Sequence, residues 1–252
     1  MKEETLFIAF STQKGGVGKT AFTVLMASYL HYVKGYEIVV IDCDYPQHSI
    51  YEMRERDMEL VMKDDYYKQM AYKQFSELKR KAYPVEESSS VEAIATAYEL
   101  IEESENKPDI IFFDLPGTLN SKGVIKTLAA MDYIFSPISA DRVVLESTLK
   151  FATMLNDNLI SVGKGNIKGL YMIWNMVDGR EKNELYEVYE KVIAELGLQI
   201  LKTFIPDSKR FRRELSVSHK PIFRSTLFPA HKSLIKGSNL DALAEELSKI
   251  IK

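Results

Sequence analysis

Ser11-Thr12-Gln13-Lys14-Gly15-Gly16-Val17-Gly18-Lys19-Thr20 is the stretch that decides the fold. It follows the apolar run Leu6–Phe10 directly and precedes a segment with helical spacing, Ala21–Val33. Strand, glycine-rich turn and helix in that order are the context a phosphate-binding loop requires. Glycines let successive N–H groups turn toward phosphate oxygens without a Cβ in the way, and the helix that follows adds its N-terminal partial positive charge. In such a loop Lys19 stands on the β- and γ-phosphates, the Thr20 hydroxyl ligates Mg²⁺, and Gly15, Gly16, Val17, Gly18 and Ala21 complete the cradle. Gln13 occupies the place of the first glycine in the usual G-x-x-x-x-G-K-[ST] pattern, and a second lysine, Lys14, stands ahead of the double glycine. A strand–helix turn without a ligand is the bland alternative. It leaves three glycines, two lysines and a threonine in this order unexplained.

Working outward, short apolar runs recur at Leu6–Phe10, Ile38–Ile41, Ile110–Phe113, Tyr133–Phe135, Leu170–Trp174 and Ile200–Phe204. Their length and β-branched or aromatic content predict buried parallel strands. Helical spacing covers Ala21–Val33, a long stretch from Tyr51 to Ala82, Val91–Glu103, Leu145–Leu159, Asn183–Leu196 and Leu240–Ile251. This alternation predicts an α/β fold: one domain over residues 1–252, with a mostly parallel twisted sheet flanked by helices. Pro84–Ser90 reads as a loop, and the mixed charge of Arg54–Ala82 as a solvated helix face. The 252 residues are 46% apolar and 27% charged, an ordinary globular composition that can bury a core. A single cysteine, Cys43, excludes an intramolecular disulfide and argues against a cysteine-clustered metal site. No run approaches a transmembrane length and the N-terminus lacks signal-peptide character, which predicts a cytosolic protein.

Two of the apolar runs end in aspartate, at Asp42-Cys43-Asp44 and at Asp114-Leu115-Pro116-Gly117. Residues there project at the carboxyl edge of a parallel sheet, where open α/β folds bind ligands. An aspartate that merely caps the next turn is the ordinary alternative. Four apolar residues ahead of Asp114 make it a Walker B-like element that supports Mg²⁺ through water. Cys43, alternating away from its neighbours, reads as a small buried residue.

Lys14-Gly15-Gly16-Val17-Gly18-Lys19-Thr20 resembles the deviant Walker A motif of the ParA/MinD family of ATPases. The resemblance implies a P-loop fold, ATP and Mg²⁺ as ligands, and a nucleotide-sandwich homodimer in which Lys14 reaches the partner's phosphates. It further implies that Asp44 positions or activates the attacking water and that Asp42 supports Mg²⁺ and its water shell. Relatives read Asp-x-Asp-Pro-Gln where this chain has an extra Tyr45 before Pro46-Gln47, and many carry a second threonine at Ala21, so one phosphate contact is missing. Asn175-Met176-Val177-Asp178 resembles the Asn-Lys-x-Asp guanine motif with its lysine replaced. In the family an asparagine here contacts adenine and the Ile-Pro matching Ile205-Pro206 packs on the base, which favours ATP over GTP. One cysteine per chain excludes the iron-protein reductase branch, which needs cluster ligands. The resemblance is strong over the first 50 residues, supportive over 109–120 and 170–225, and absent over Tyr51–Asn106.

Charge is divided along the chain. From Lys202 to Lys236 nine basic residues face only Asp207 and Glu214, a local charge of +7; residues 237–252 carry −1, leaving −9 for residues 1–201 of the total −3. A basic edge on an acidic body attracts phosphate backbones by counterion release, and the family resemblance implies nonspecific DNA binding by the ATP-bound dimer. Arg210, Arg212 and Arg213 are the candidate DNA contacts; a surface that steers nucleotide or pairs with the acidic body is the alternative. The last helix has apolar positions at Leu240, Leu243, Ala244, Leu247, Ile250 and Ile251, and its acidic polar face predicts docking on the core rather than a MinD-like membrane contact. The function these features imply is a ParA-like ATPase switch for partition of a plasmid, chromosome or mobile element. It would act from the cytoplasm, on the nucleoid when ATP-bound, with slow hydrolysis stimulated by a ParB-like or other partner protein. Competing readings are an ATP-dependent metabolic synthetase on the same scaffold, a MinD-like membrane-associated ATPase, and a module that holds nucleotide but hardly hydrolyses it.

Overall fold

Strands that are apolar at every position must bury both faces, and the tertiary structure does this with helices on either side of one sheet. The structure is a computed structural model that describes residues 4–118, 123–180 and 183–252. The strands are β1 (Leu6–Phe10), β2 (Ile38–Asp42), β3 (Val85–Glu87), β4 (Ile110–Asp114), β5 (Tyr133–Ile138), β6 (Gly169–Trp174) and β7 (Gln199–Ile200). Their order is β3-β2-β4-β1-β5-β6-β7, and every pairing is parallel. The helices are α1 (Lys19–Tyr29), α2 (Ser49–Lys63), α3 (Asp65–Leu78), α4 (Ala93–Glu103), α5 (Val124–Ala129), α6 (Arg142–Leu155), α7 (Asn183–Glu195), α8 (Lys232–Ile235) and α9 (Leu240–Ile250).

Successive side chains leave a strand on opposite faces. Ile8, Phe10, Val40 and Phe112 accordingly pack with α1, α2 and α9, and Phe7, Ala9, Ile41 and Phe113 with α4, α5, α6 and α7. Strand β1 lies between β4 and β5, so the chain winds outward from it in both directions. The crevice at its carboxyl end is the topological switch point where ligands of such sheets bind.

Four expectations need correction. The run Ile200–Phe204 is not a buried strand: only Gln199–Ile200 pairs with β6, the N–H groups of Lys202 and Thr203 turn to the Glu246 carboxylate, and Phe204 is exposed. Pro84–Ser90 is not only a loop: Val85–Glu87 adds an edge strand to β2, with Val85 buried and both glutamates exposed, too short and too polar to show a strand pattern. The stretch Tyr51–Ala82 is two helices. Asp64 leaves helical backbone (φ −112°, ψ 114°), and its side chain accepts the Tyr66 N–H at 3.0 Å to start α3. Nor is α2 a plain solvated face, because Arg54 and Asp57 are buried. Arg54 donates to Tyr83 O (2.8 Å) and to Oγ1 and O of Thr226 (3.0 and 3.1 Å); one oxygen of Asp57 accepts from Ser225 Oγ, Thr226 N and Thr226 Oγ1 at 2.8–2.9 Å. The α2 helix thereby clamps the Ser225–Thr226 segment onto the molecule. The α9 helix docks as its acidic polar face implies: Leu240, Leu243, Ala244 and Leu247 are buried, Glu245 pairs with Lys34, and Glu246 accepts the N–H groups of Lys202 and Thr203 at 2.8 Å. No helix among the described residues is long and apolar enough to cross a membrane.

Candidate functional site

Strand β1 carries the chain to the carboxyl edge of the sheet, where buried hydroxyls fix its exit. Ser136 Oγ donates to Ser11 O at 2.7 Å, Ser11 N–H donates to Phe135 O at 2.9 Å, and the Thr12 and Thr148 hydroxyls bond at 2.8 Å. The loop then enters left-handed backbone at Gly16 (φ +77°) and again at Gly18 (φ +92°), which a side chain would resist. Gly18 begins α1 without any side-chain cap, so the first turn of the helix presents N–H groups as an anion site.

Lys19 is buried and donates to Lys14 O at 3.1 Å. Burial lowers its pKa, and Asp114 and Asp44 act in the opposite direction. Gly117 stands close across the cavity: a Cβ there would lie 2.9 Å from Lys19 Nζ, so the ammonium would have to move. The Thr20 hydroxyl donates to Asp114 Oδ2 at 2.8 Å, while Asp114 Oδ1, equally buried, has no hydrogen-bond partner. Desolvation first, and then the charge of Asp42, push the Asp114 acid up to about 7. Asp44 is half-buried at the cavity wall, and its pKa is raised by desolvation, with Lys19 opposing. Its carbonyl accepts from Gln47 and His48 N–H groups and closes the turn that carries the exposed Tyr45.

Asp42 is directed elsewhere. One oxygen accepts Ile50 N (2.8 Å) and Tyr51 N (3.1 Å), the other Asp44 N (3.2 Å), and the side chain is fully buried. It holds the first turn of α2 and the start of the Asp44 turn. Cys43 is a buried thiol whose pKa is raised by burial, as its alternation predicts.

Lys19, Thr20, Asp44 and Gly117 line a cavity of about 660 Å³ that runs from the glycine loop past Gln47 and Ser49 to Asn175, Met176, Phe211 and Arg212, with Asp114 buried behind Thr20. Asn175 Nδ2 donates to Val17 O at 2.9 Å and ties the base end to the phosphate loop. Its Oδ1 carries no hydrogen bond among the described residues and is an acceptor open to a donor of a bound base. Asp178 is engaged by Arg180 through three hydrogen bonds, which hold its carboxyl at about 2, and it is not part of the cavity wall. Pro206 pairs with Val177 behind Met176 and is likewise outside the lining; Phe211 and Met176 supply the apolar wall there.

Lys14 is half-buried, lies outside the cavity lining, and its ammonium makes no hydrogen bond or ion pair among the described residues. The three candidate DNA arginines are separated by the fold. Arg210 is half-buried and donates to Ser208 Oγ (3.0 Å), Leu234 O (2.8 Å) and Lys236 O (2.7 Å), so much of its donor capacity is spent on the protein. Arg212 and Arg213 are both exposed; Arg212 lines the cavity and Arg213 does not. Gly117, Phe211 and Arg224 were not legible as site residues. Only Gly117 carried a signal, the glycine closing Asp114-Leu115-Pro116-Gly117.

The residues present fit a magnesium nucleotide. A hydroxyl and a buried carboxylate oxygen without a partner stand beside an uncapped helix N-terminus, and among the described residues no cluster of three or more His, Cys, Asp or Glu would hold a metal alone. That is the donor set of a Mg²⁺ whose shell is completed by phosphates and water.

The model of the CobQ/CobB/MinD/ParA nucleotide binding domain matches residues 8–222. No curated protein sequence matches the chain. Among solved structures, the chain is similar to a plasmid partition protein of Borrelia burgdorferi B31 bound to AMPPNP, at 15% identity and TM-score 0.59, covering 98% of this chain and 100% of that one. It is similar to the septum site-determining protein MinD of Pyrococcus horikoshii OT3 complexed with Mg-ADP, at 20% identity and TM-score 0.58, covering 98% and 97%. It is also similar to pNOB8 ParA bound to nonspecific DNA, at 14% identity and TM-score 0.58, covering 98% of each. Likeness at these identities establishes the fold.

Proposed function

We propose that this chain, which belongs to the CobQ/CobB/MinD/ParA nucleotide-binding family, is an ATP-driven switch of the ParA kind. It binds Mg-ATP, pairs face to face with a second copy, holds DNA without sequence preference while paired, and resets by slow hydrolysis that a ParB-like partner accelerates. The observation that carries this reading is Lys14. The chain's own cradle already contains its phosphate cation, Lys19, buried and held by the Lys14 carbonyl. A second lysine with an uncommitted ammonium outside that cavity suits a phosphate belonging to another copy.

In the proposed reaction Thr20 and, through water, Asp114 would hold Mg²⁺, which when bound would supply charge neutralisation to the polyphosphate. Asp44 orients the attacking water and accepts its proton. Lys19 and, from the partner copy, Lys14 stabilise charge developing on the transferred group. Asp42 keeps Asp44 in place through the shared turn.

Two features support DNA as the partner surface. Arg210 holds the basic turn Lys209–Arg213 against Leu234–Lys236, so basic segments distant in sequence share one face; and pNOB8 ParA, similar in fold, was solved on nonspecific DNA. The likeness to a plasmid partition protein favours replicon partition as the setting, with nucleoid association in the ATP state. A membrane-tethered variant is disfavoured, since the apolar stripe of α9 is spent on the core.

The test is DNA binding with ADP, ATP and a nonhydrolysable analogue across a salt series, alongside light scattering for mass. ATP-dependent dimerisation and salt-sensitive binding are expected, both lost in Lys14→Ala. Dimerisation that survives Lys14→Ala refutes the sandwich, and turnover that depends on a metabolite without DNA or partner protein points to the synthetase reading.

A further inference from the structure

Arg212 stands in a run of basic residues that the charge distribution assigns to DNA, yet its place in the fold is different. Its backbone belongs to the 3₁₀ turn Lys209–Arg212, and that turn is fixed from several sides. Ser208 caps it, the Arg210 guanidinium bonds to Leu234 O and Lys236 O, and Phe211 packs edge-on against Phe223 with ring centroids 4.9 Å apart. Just after it, the Arg213 carbonyl accepts the N–H groups of Phe223 and Arg224 at 2.9 Å. A turn held this way fixes where its side chains start; Lys209 and Arg212 are the two without a partner among the described residues, and of these only Arg212 lines the nucleotide cavity, together with Ala21, Phe22 and Leu25 of α1.

The other arginines nearby are already occupied. Arg210 is satisfied by three protein acceptors, and Arg224, also on the cavity wall, is paired with Glu214. The Arg212 guanidinium has no hydrogen bond or ion pair among the described residues. Across the same cavity stands Ala21, a methyl group where a second threonine would place a hydroxyl on phosphate. A planar cation with five donors is suited to phosphate oxygens.

We propose that Arg212 is a nucleotide-binding residue: from the C-terminal segment it gives the polyphosphate of a nucleoside di- or triphosphate the contact that Ala21 lacks. This rests on nucleotide binding in the cavity but not on dimerisation or DNA binding. The assignment also separates the basic segment by task. Arg210 builds the turn, Arg212 serves the nucleotide, and Arg213 and the exposed lysines face outward.

Calorimetric titration of Mg-ADP into the wild-type chain, Arg212→Ala, Arg213→Ala and Arg212→Ala with Ala21→Thr tests it. Loss of one charge-assisted contact should weaken ADP binding about tenfold in Arg212→Ala. Arg213→Ala, the neighbouring exposed arginine, should bind as the wild type does. Ala21→Thr should recover affinity in the Arg212→Ala background and add little in the wild type, the mark of two groups serving one ligand. Unchanged ADP affinity in Arg212→Ala, or an equal gain from Ala21→Thr in both backgrounds, overturns the proposal. Equal weakening in Arg213→Ala overturns it too, by showing a diffuse charge effect. A wild-type chain that binds no ADP would instead overturn the reading of the cavity itself.

Discussion

Asp114→Asn should make the ligand-free protein more stable, by an amount that grows with pH. The carboxyl is fully buried, one of its oxygens has no partner, and burial together with Asp42 raises its pKa from the ordinary 3.8 to about 7. Between those two values the folded chain holds a proton that the unfolded chain has released, so stability falls by about 1.4 kcal/mol for each pH unit of rise. The penalty is absent below about pH 4 and complete above about pH 7, where it amounts to about 4 kcal/mol. Asparagine carries no charge and keeps an oxygen for the Thr20 hydroxyl, which now donates at 2.8 Å. Urea denaturation of wild type and variant at several pH values, without nucleotide or Mg²⁺, measures the difference directly. The two should be nearly equal at about pH 4, with the variant ahead by up to about 4 kcal/mol at about pH 8. Adding Mg-ADP should then stabilise the wild type more than the variant. A difference that does not change with pH would refute the reasoning, because it would mean that the carboxyl is ionised in the fold throughout.

Further outcomes follow from other contacts. Lys14→Ala should leave the urea midpoint unchanged, since its ammonium bonds to nothing among the described residues, while steady-state ATP turnover falls at least tenfold. Gly117→Ala places a Cβ 2.9 Å from Lys19 Nζ; the lysine must shift, and nucleotide affinity should drop about tenfold in calorimetry with little loss of stability. Asp57→Ala removes an acceptor of three buried hydrogen bonds and should cost about 3 kcal/mol in urea denaturation. Arg213→Ala should lower the slope of log affinity for DNA against log salt by about 1, whereas Arg210→Ala should show its effect first as lost thermal stability.

The fold was legible wherever burial leaves a continuous apolar run. Five strand positions, the helices that separate them and the parallel character of the sheet can be read because strands covered on both faces keep a continuous apolar run; the sixth run, Ile200–Phe204, meets the sheet only at Ile200. What escaped is what polar chemistry decides locally. β3 is three residues at a sheet edge with two glutamates in the open, and the break at Asp64 depends on one side chain capping Tyr66 N–H. Both resemble ordinary surface sequence. The phosphate cradle was legible for the opposite reason: residues 14–20 are contiguous, and the backbone geometry phosphate demands can be met by few residue types.

Sequence by itself therefore determined the class of fold, the phosphate loop with Lys19 and Thr20, the carboxylates at the strand ends, and the uneven distribution of charge. Tertiary structure alone decided how those charges are used. Arg210, Arg212 and Arg213 lie within four residues and look alike in the chain, yet one is bonded to the protein, one lines the nucleotide cavity and one lies outside it. The same holds for Asp42 and Asp44, one spent on the first turn of α2 and the other left at the cavity wall. The physical reason is that a charged side chain takes its role from the acceptors, donors and solvent around it. Those neighbours come from segments remote in sequence, such as Leu234, Lys236 and Phe223 around the arginine turn, and only the folded chain brings them there.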